Sequence, residues 1–245
     1  MAATLDNMFP GRFVLGVGTG QAMSEERFLG RWPDWKERGE RLREALQLMR
    51  KFWTATEYFD WEGKYFAAKK LYLYTRPAGS VEVYVSARGA KAAKIAGELG
   101  DHIMTTVSDP STVKDIFETF RRSMERTGRD PAKACRMGYI EYGIGKMKDM
   151  LKLMKNGPAA MGLIDAARDE MDPHQIQAMG SQAPDDAIIE HHHLVEQPAD
   201  LIEPAERLIE AGCNYLIFSD VSRNPNENME RLRRSVIPKL GESGE

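Results

Sequence analysis

Arg12-Phe13-Val14-Leu15-Gly16-Val17-Gly18-Thr19-Gly20-Gln21-Ala22-Met23-Ser24-Glu25 is an apolar run that stops in a glycine-rich loop. The run predicts a buried strand over residues 13–17, and the loop bares backbone at its C-terminal end. Gly16, Gly18 and Gly20 tolerate positive φ and let a flat or phosphorylated ligand approach the main chain. Thr19, Gln21 and Ser24 add hydrogen-bonding side chains, so position and chemistry both describe a ligand loop.

Strands and helices alternate outward from this loop. Asp34, with Glu37 three residues on, predicts the start of a helix whose buried stripe is Leu42, Ala45, Leu46, Met49, Phe52 and Trp53. A second strand is expected over 81–86, turning at Arg88-Gly89 into an alanine-rich helix over 90–99 that stops at Gly100. A third strand follows over 102–106. A helix over 111–127 carries Val113, Ile116, Phe117, Phe120 and Met124 on one face and ends at Gly128. A fourth strand is expected over 137–144, then an apolar helix face from Leu201 to Ile209 ended by Gly212, a fifth strand over 215–219 and a closing helix over 229–240. The chain is expected to form one domain, 1–245, with two interruptions. Residues 54–80 hold a hairpin turning at Gly63, a cover or interface. Residues 145–193 are methionine-rich, lid-like and broken into short helices by Pro158, Pro173 and Pro184.

Composition narrows the function. The 245 residues carry a net charge of −3 and are 42% hydrophobic and 29% charged, which suits a globular protein. With no basic stripe, nucleic-acid binding is disfavoured. No window is apolar enough to span a membrane and the N-terminus lacks a leader pattern, so a cytoplasmic location is expected. Cys135 and Cys213 stand far apart, outside any CxxC spacing, and are expected as small buried hydrophobes. No metal site is expected at His191-His192-His193, because consecutive imidazoles point in different directions. Lys146, Lys148, Lys152 and Lys155 read as a solvated helix face, with Met147, Met150, Leu151 and Met154 packed inward. Met161, Met171 and Met179 either line a tunnel or fill core gaps.

Alternating β and α units imply a parallel sheet, closed as a barrel or open and doubly wound. The dinucleotide reading of the open form is weak. The spacing is GxGxG rather than GxGxxG, and Glu25 and Glu26 follow where a pyrophosphate-binding helix would carry no carboxylate.

Four stretches in order carry a family resemblance: residues 10–20, the helix from Trp32-Pro33-Asp34-Trp35 through Glu44, the segment 58–66 around Trp61-Glu62-Gly63-Lys64, and residues 83–101 with Ser86-Ala87-Arg88-Gly89. Together they resemble the luciferase-like monooxygenase superfamily, in its deazaflavin branch of glucose-6-phosphate and secondary alcohol dehydrogenases that use coenzyme F420. The resemblance implies an α/β fold of the TIM (β/α)8 barrel type. The match begins near the fourth barrel strand, so the expectation is a partial barrel of strands 4 to 8. A truncated gene product or partial sequence is expected, with a self-associating half-barrel as the alternative. Strands 4 and 8 would then be open edges.

The resemblance also implies site residues. The loop residues Gly18, Thr19, Gly20 and Ser24 fall at one cofactor segment, Ser24 replacing an asparagine. Arg88, Gly89, Lys91 and Ala92 fall at a second, which holds the phosphate-bearing tail. Independently of it, Gly89 opens a helix whose N–H groups and dipole suit an anion, and Arg88 and Lys91 add positive charge. Gln21 stands where the branch carries an acid/base glutamate, and an amide exchanges no proton near neutral pH. Thr106 matches a substrate threonine. The lysine expected after it falls at Asp109, and a substrate arginine falls near His191.

An aspartate repels phosphate, so a neutral alcohol or ketone is favoured as the small-molecule substrate over a sugar phosphate. Three classes stay open: an F420-dependent oxidoreductase, an FMN-dependent monooxygenase of the same superfamily, and a non-catalytic half-barrel. A homodimer is the expected assembly.

Overall fold

The computed structural model describes residues 1–157, 159–160 and 163–240, with only the backbone of Asp165. In chain order the elements are α1 (Ala2–Met8), β1 (Val14–Val17), α2 (Ala22–Leu29), α3 (Trp35–Thr54), β2 (Phe59–Glu62), β3 (Ala67–Leu71), β4 (Glu82–Ser86), α4 (Ala90–Leu99), β5 (His102–Thr105) and α5 (Pro110–Arg126). There follow β6 (Arg136–Ile144), α6 (Met147–Lys155), α7 (Pro173–Ser181), α8 (Asp185–His191), β7 (Leu194–Val195), α9 (Ile202–Glu210), β8 (Tyr215–Asp220) and α10 (Pro225–Ser235). The chain forms two compact units. One holds Met1–Thr19, Pro33–Met104 and Asp115–Arg136; the other holds Gly20–Trp32, Thr105–Lys114 and the chain from Met137 on.

In the first unit β4 lies between β1 and β5, all three parallel, in register from Val14 opposite Glu82 to Val17 opposite Val85. Val83 and Val85 are fully buried while Tyr84 and Ser86 between them are half-buried, which separates a helix-covered face from an inner face. Asp34 accepts the Glu37 N–H at 2.8 Å and starts α3 as its spacing predicts. The hairpin of β2 and β3 docks on that helix through two carboxylates, Glu44 and Glu40, the latter accepting from Lys64 Nζ (2.7 Å) and the Tyr65 hydroxyl (2.6 Å). Glu44 accepts the N–H groups of Tyr65 (2.9 Å) and Phe66 (2.8 Å) and the Trp61 indole (3.2 Å). Gly63 leaves that carboxylate its room, since a Cβ would lie 1.7 Å from Glu44 Oε1 and displace it.

In the second unit β6 is flanked by β8 and β7, again parallel, with Met137 opposite Tyr215, Glu141 opposite Ser219, and Gly143 opposite Leu194. Ile140 and Tyr142 are buried on the helix-covered side, so Tyr139 and Glu141 belong to the inner face. Among the described residues β1 pairs only with β4 and β8 only with β6, which leaves one edge of each open. Val14 at 47% and Tyr215 at 55% exposure are unusually open for barrel-strand residues.

The strands and helices expected from the sequence are present within a few residues, with four corrections. β7 was not foreseen, since two residues are too short to show a periodicity. The last helix begins at Pro225 rather than 229, because proline is well suited to a first helical turn, and it ends at Ser235 before a short 3-10 turn containing Pro238. Cys213 is buried, but Cys135 is only half-buried, its N–H donating to His102 Nδ1 at 3.0 Å. The expected strand over 102–106 stops at Thr105. Met147, Met150, Leu151 and Met154 do pack inward, onto Ala159, Ala183, Ile188 and Leu194. Pro158 and Met161 lie outside the described residues.

Two helix contacts generate predictions. Gly97 in α4 meets α5 so closely that a Cβ would lie 2.5 Å from the Phe120 carbonyl oxygen and from Ser123 Cβ. Alanine is the better helix former, yet Gly97→Ala is expected to destabilise by about 1–3 kcal/mol through overpacking, read as a lower urea midpoint. At the start of α5, Asp109 accepts the Thr112 N–H (2.8 Å) and hydroxyl (2.6 Å) and the Ser111 hydroxyl (2.7 Å). Those bonds, the Thr112 and Ser111 hydroxyls first, pull its carboxyl from the ordinary 3.8 down to about 2. A carboxyl lowered on folding adds stability above its ordinary range and loses it as pH falls through its folded value. Asp109→Ala is therefore expected to cost about 1 kcal/mol at pH 7 and to lose less stability than the parent between about pH 4 and 2, followed by thermal melts.

Candidate functional site

Parallel pairing sets the site, because the C-terminal ends of β1 and β4 fall on the same side of the sheet. Gly18 and Thr19 leave β1 there, and Gly18 approaches β4 so that its Cβ would lie 3.5 Å from Ser86 Cβ. Ser86, Ala87, Arg88 and Gly89 leave β4 alongside. Gly89 caps α4 with extended backbone and no side-chain hydrogen bond. The first helical bond runs from the Ala93 N–H to the Gly89 carbonyl, so the N–H groups of Ala90, Lys91 and Ala92 lie ahead of the ladder. A Cβ on Gly89 would find no atom within 4 Å, so this turn faces open space.

Arg88 is half-buried beside that opening, while Ala92 is buried beneath it. Lys91 extends over the Trp35 ring, its Nζ 5.1 Å from the centroid, so what it offers the opening is its backbone N–H. Uncapped amides, a half-buried guanidinium and a glycine without a neighbour form a cradle suited to an anionic group. Gly18, Thr19, Arg88, Gly89, Lys91 and Ala92 are thus brought together in the first unit.

The remaining residues lie in the second unit. Gly20 has φ +77°, and the Glu25 carboxylate occupies its Cβ side, with Oε1 2.1 Å from where a Cβ would sit. Gln21 begins α2, its carbonyl accepting the N–H groups of Ser24 (3.2 Å) and Glu25 (3.1 Å) while its exposed side chain makes no capping bond. Ser24 is exposed on the first turn. Inward, Met23 packs on Ala160, Ala167 and Ile176, so the segment between α6 and α8 holds α2 in place. Thr106 is half-buried just past β5, on the alternation that puts His102 and Met104 on one face. Asp109 is committed to capping α5.

His191 ends α8 and is half-buried, its ring 4.7 Å from that of His192. The sequence reading missed the group next to it. His192 is fully buried, with Nδ1 2.7 Å from Glu141 Oε2 and Nε2 3.4 Å from the Ala159 carbonyl oxygen. His193, at φ +42°, is held toward its neutral form chiefly by burial and then by His192. A carboxylate within the apolar run of β6 is the signal that could have found this pair. Among the described residues no group of three or more His, Cys, Asp or Glu side chains is placed to hold a metal ion. No helix among them is long and apolar enough to cross a membrane.

The luciferase-like monooxygenase family profile matches residues 1–214. The F420-dependent glucose-6-phosphate dehydrogenase of Rhodococcus hoagii (strain 103S) is 31% identical over 246 residues, which cover 97% of this chain and 72% of the relative. An F420-dependent secondary alcohol dehydrogenase, solved with an F420–acetone adduct, superposes with a TM-score of 0.89 at 30% identity, over 97% of this chain and 72% of that one. A coenzyme F420-dependent tetrahydromethanopterin reductase from Methanopyrus kandleri, 19% identical with a TM-score of 0.75 over 98% of this chain and 77% of that one, shares the fold. Profile, sequence and structure agree: the chain belongs to the luciferase-like monooxygenase family.

Proposed function

We propose that this chain is an F420-dependent oxidoreductase that acts on a neutral hydroxyl or carbonyl compound. The observation that carries the reading is the cradle of Arg88, Gly89 and the uncapped first turn of α4. F420 bears its phosphate on a tail, and such a cradle meets an anion with oriented N–H groups, a helix dipole and a guanidinium. Arg88, Gly89, Lys91 and Ala92 would hold that tail, and Gly18, Thr19, Gly20 and Ser24 would border the ring. When bound, the deazaflavin supplies a ring carbon that gives or takes hydride. F420 is preferred to FMN because the relative and the solved structure at about 30% identity are both F420-dependent by name.

The substrate class follows from charge. Asp109 keeps its carboxylate ionised at the start of α5 and spends that helix's free N–H groups on itself. A phosphate would meet repulsion there instead of a dipole. Gln21 can orient a hydroxyl or carbonyl through its amide but takes no proton. The segment 145–193 supports a lid role, since Met150 lies against the inner-face Gly143 and His192 against Glu141.

Titration with F420, followed by quenching of its fluorescence, tests the cofactor reading. Arg88→Gln and Gly89→Val are each expected to weaken binding about tenfold or more, which is about 1.4 kcal/mol, with melting temperatures close to the parent's. Unchanged affinity in both, or tighter binding of FMN than of F420, contradicts it. Glucose 6-phosphate is expected not to compete with propan-2-ol.

A further inference from the structure

We propose that the outer face of the β2–β3 hairpin is the surface through which two copies of this chain associate. The inner face is engaged within the chain. Phe59 and Trp61 lie under Lys51 of α3, whose Nζ is 4.5 Å and 5.8 Å from their ring centroids, and Glu40 and Glu44 hold the turn at Lys64, Tyr65 and Phe66. Strand alternation then places Tyr58, Asp60 and Glu62 on the other face, and all three are exposed.

Two features of that face ask for a partner. At the open end of the hairpin Tyr58, Tyr72 and Tyr74 pack ring on ring, with centroids 4.9 Å apart in both pairs and the Tyr58 and Tyr74 hydroxyls 3.1 Å apart. Held this way, Tyr74 is still 83% exposed and Tyr58 62%. Tyrosines fixed by their neighbours yet open to solvent are the residues that anchor interfaces, because they bury much area at little entropic cost. The second feature is charge. Asp60 and Glu62 stand on β2, while Lys69 and Lys70 stand on β3, exposed side by side beside a register shift and with Lys70 at φ +54°. Among the described residues none of these four side chains is in an ion pair; Asp60 accepts the Lys70 backbone N–H at 2.8 Å, not its ammonium. Elsewhere in the same unit Arg43, Arg50, Lys64 and Arg121 each meet a carboxylate.

A second copy supplies what the face lacks. A two-fold axis between two such faces, parallel to the strands, lays β2 of each copy over β3 of the other and one tyrosine cluster over the other. Asp60 and Glu62 then meet the lysines of the other copy twice over, and the tyrosine rings are covered. A purely acidic or purely basic partner would match one strand and be repelled by the other, so charge selects the self-complementary contact.

Sedimentation equilibrium of the intact chain tests the contact, and no cofactor is needed. At about 100 μM the parent is expected to show twice the mass of one chain and to dissociate on dilution, since a face of this size lies at the low end of stable interfaces. Asp60→Asn with Glu62→Lys makes both strands basic, the Asn keeping an acceptor for the Lys70 N–H; Lys69→Glu with Lys70→Glu makes both acidic. Each double variant alone is expected to raise the dissociation constant about tenfold or more, and an equimolar mixture of the two to return it to within about threefold of the parent's. Tyr58→Ser with Tyr74→Ser is expected to weaken association about tenfold with the charges intact. Thermal melts establish that each variant folds; should a charge variant fail, the tyrosine pair carries the test, and unchanged association there overturns the proposal. It is equally overturned by a parent that stays monomeric at about 100 μM, by a dimer that both charge variants leave intact, or by a mixture that recovers nothing.

Discussion

Parallel pairing of β1 with β4 is the constraint on which the site depends. The register from Val14–Glu82 to Val17–Val85 delivers Gly18-Thr19 and Arg88-Gly89 to one side of the sheet. A hairpin would have turned one of these ends away. Leu42 and Leu46 of α3, Ala93 and Ile95 of α4, and Val83 and Val85 of β4 are buried behind that arrangement. The loops after the strands are then free to carry glycine and polar residues where a ligand needs them.

Two helix N-termini of the fold are treated in opposite ways. Helix α5 closes its first turn with Asp109, whose carboxylate supplies the negative charge that the helix dipole favours. Helix α4 begins at a glycine without a side-chain cap, beside Arg88, and waits for an anion from outside. Negative charge favours both starts; α5 carries its own, and α4 is left open to one from a ligand. In the function proposed here, that contrast would separate a phosphate-bearing cofactor from a substrate without phosphate.

Much of this was legible in the sequence because the signals are local. The 13–17 run, the Asp34 cap, the alanine-rich stretch ended by Gly100 and the Gly63 turn each act within a few residues, and each is where the spacing puts it. Long-range juxtapositions were not legible. Glu141 and His192 are 51 positions apart and meet only through folding of the intervening helical segment. The crowding of Gly97 against Phe120 and Ser123 is likewise a property of two helices crossing. Lys91 read as a phosphate ligand through its side chain, but Trp35 draws its ammonium toward α3 and leaves its backbone for the opening.

The central claim is that the amides opening α4 bind the anionic tail of F420. Hydrogen–deuterium exchange of the intact chain, resolved to single amides, addresses it most directly. Added F420 is predicted to slow exchange at Gly89 to Ala92 while the first turn of α5, closed by Asp109, exchanges as before. Unchanged exchange at the α4 start under saturating F420, or protection centred on the α5 start, would contradict the account.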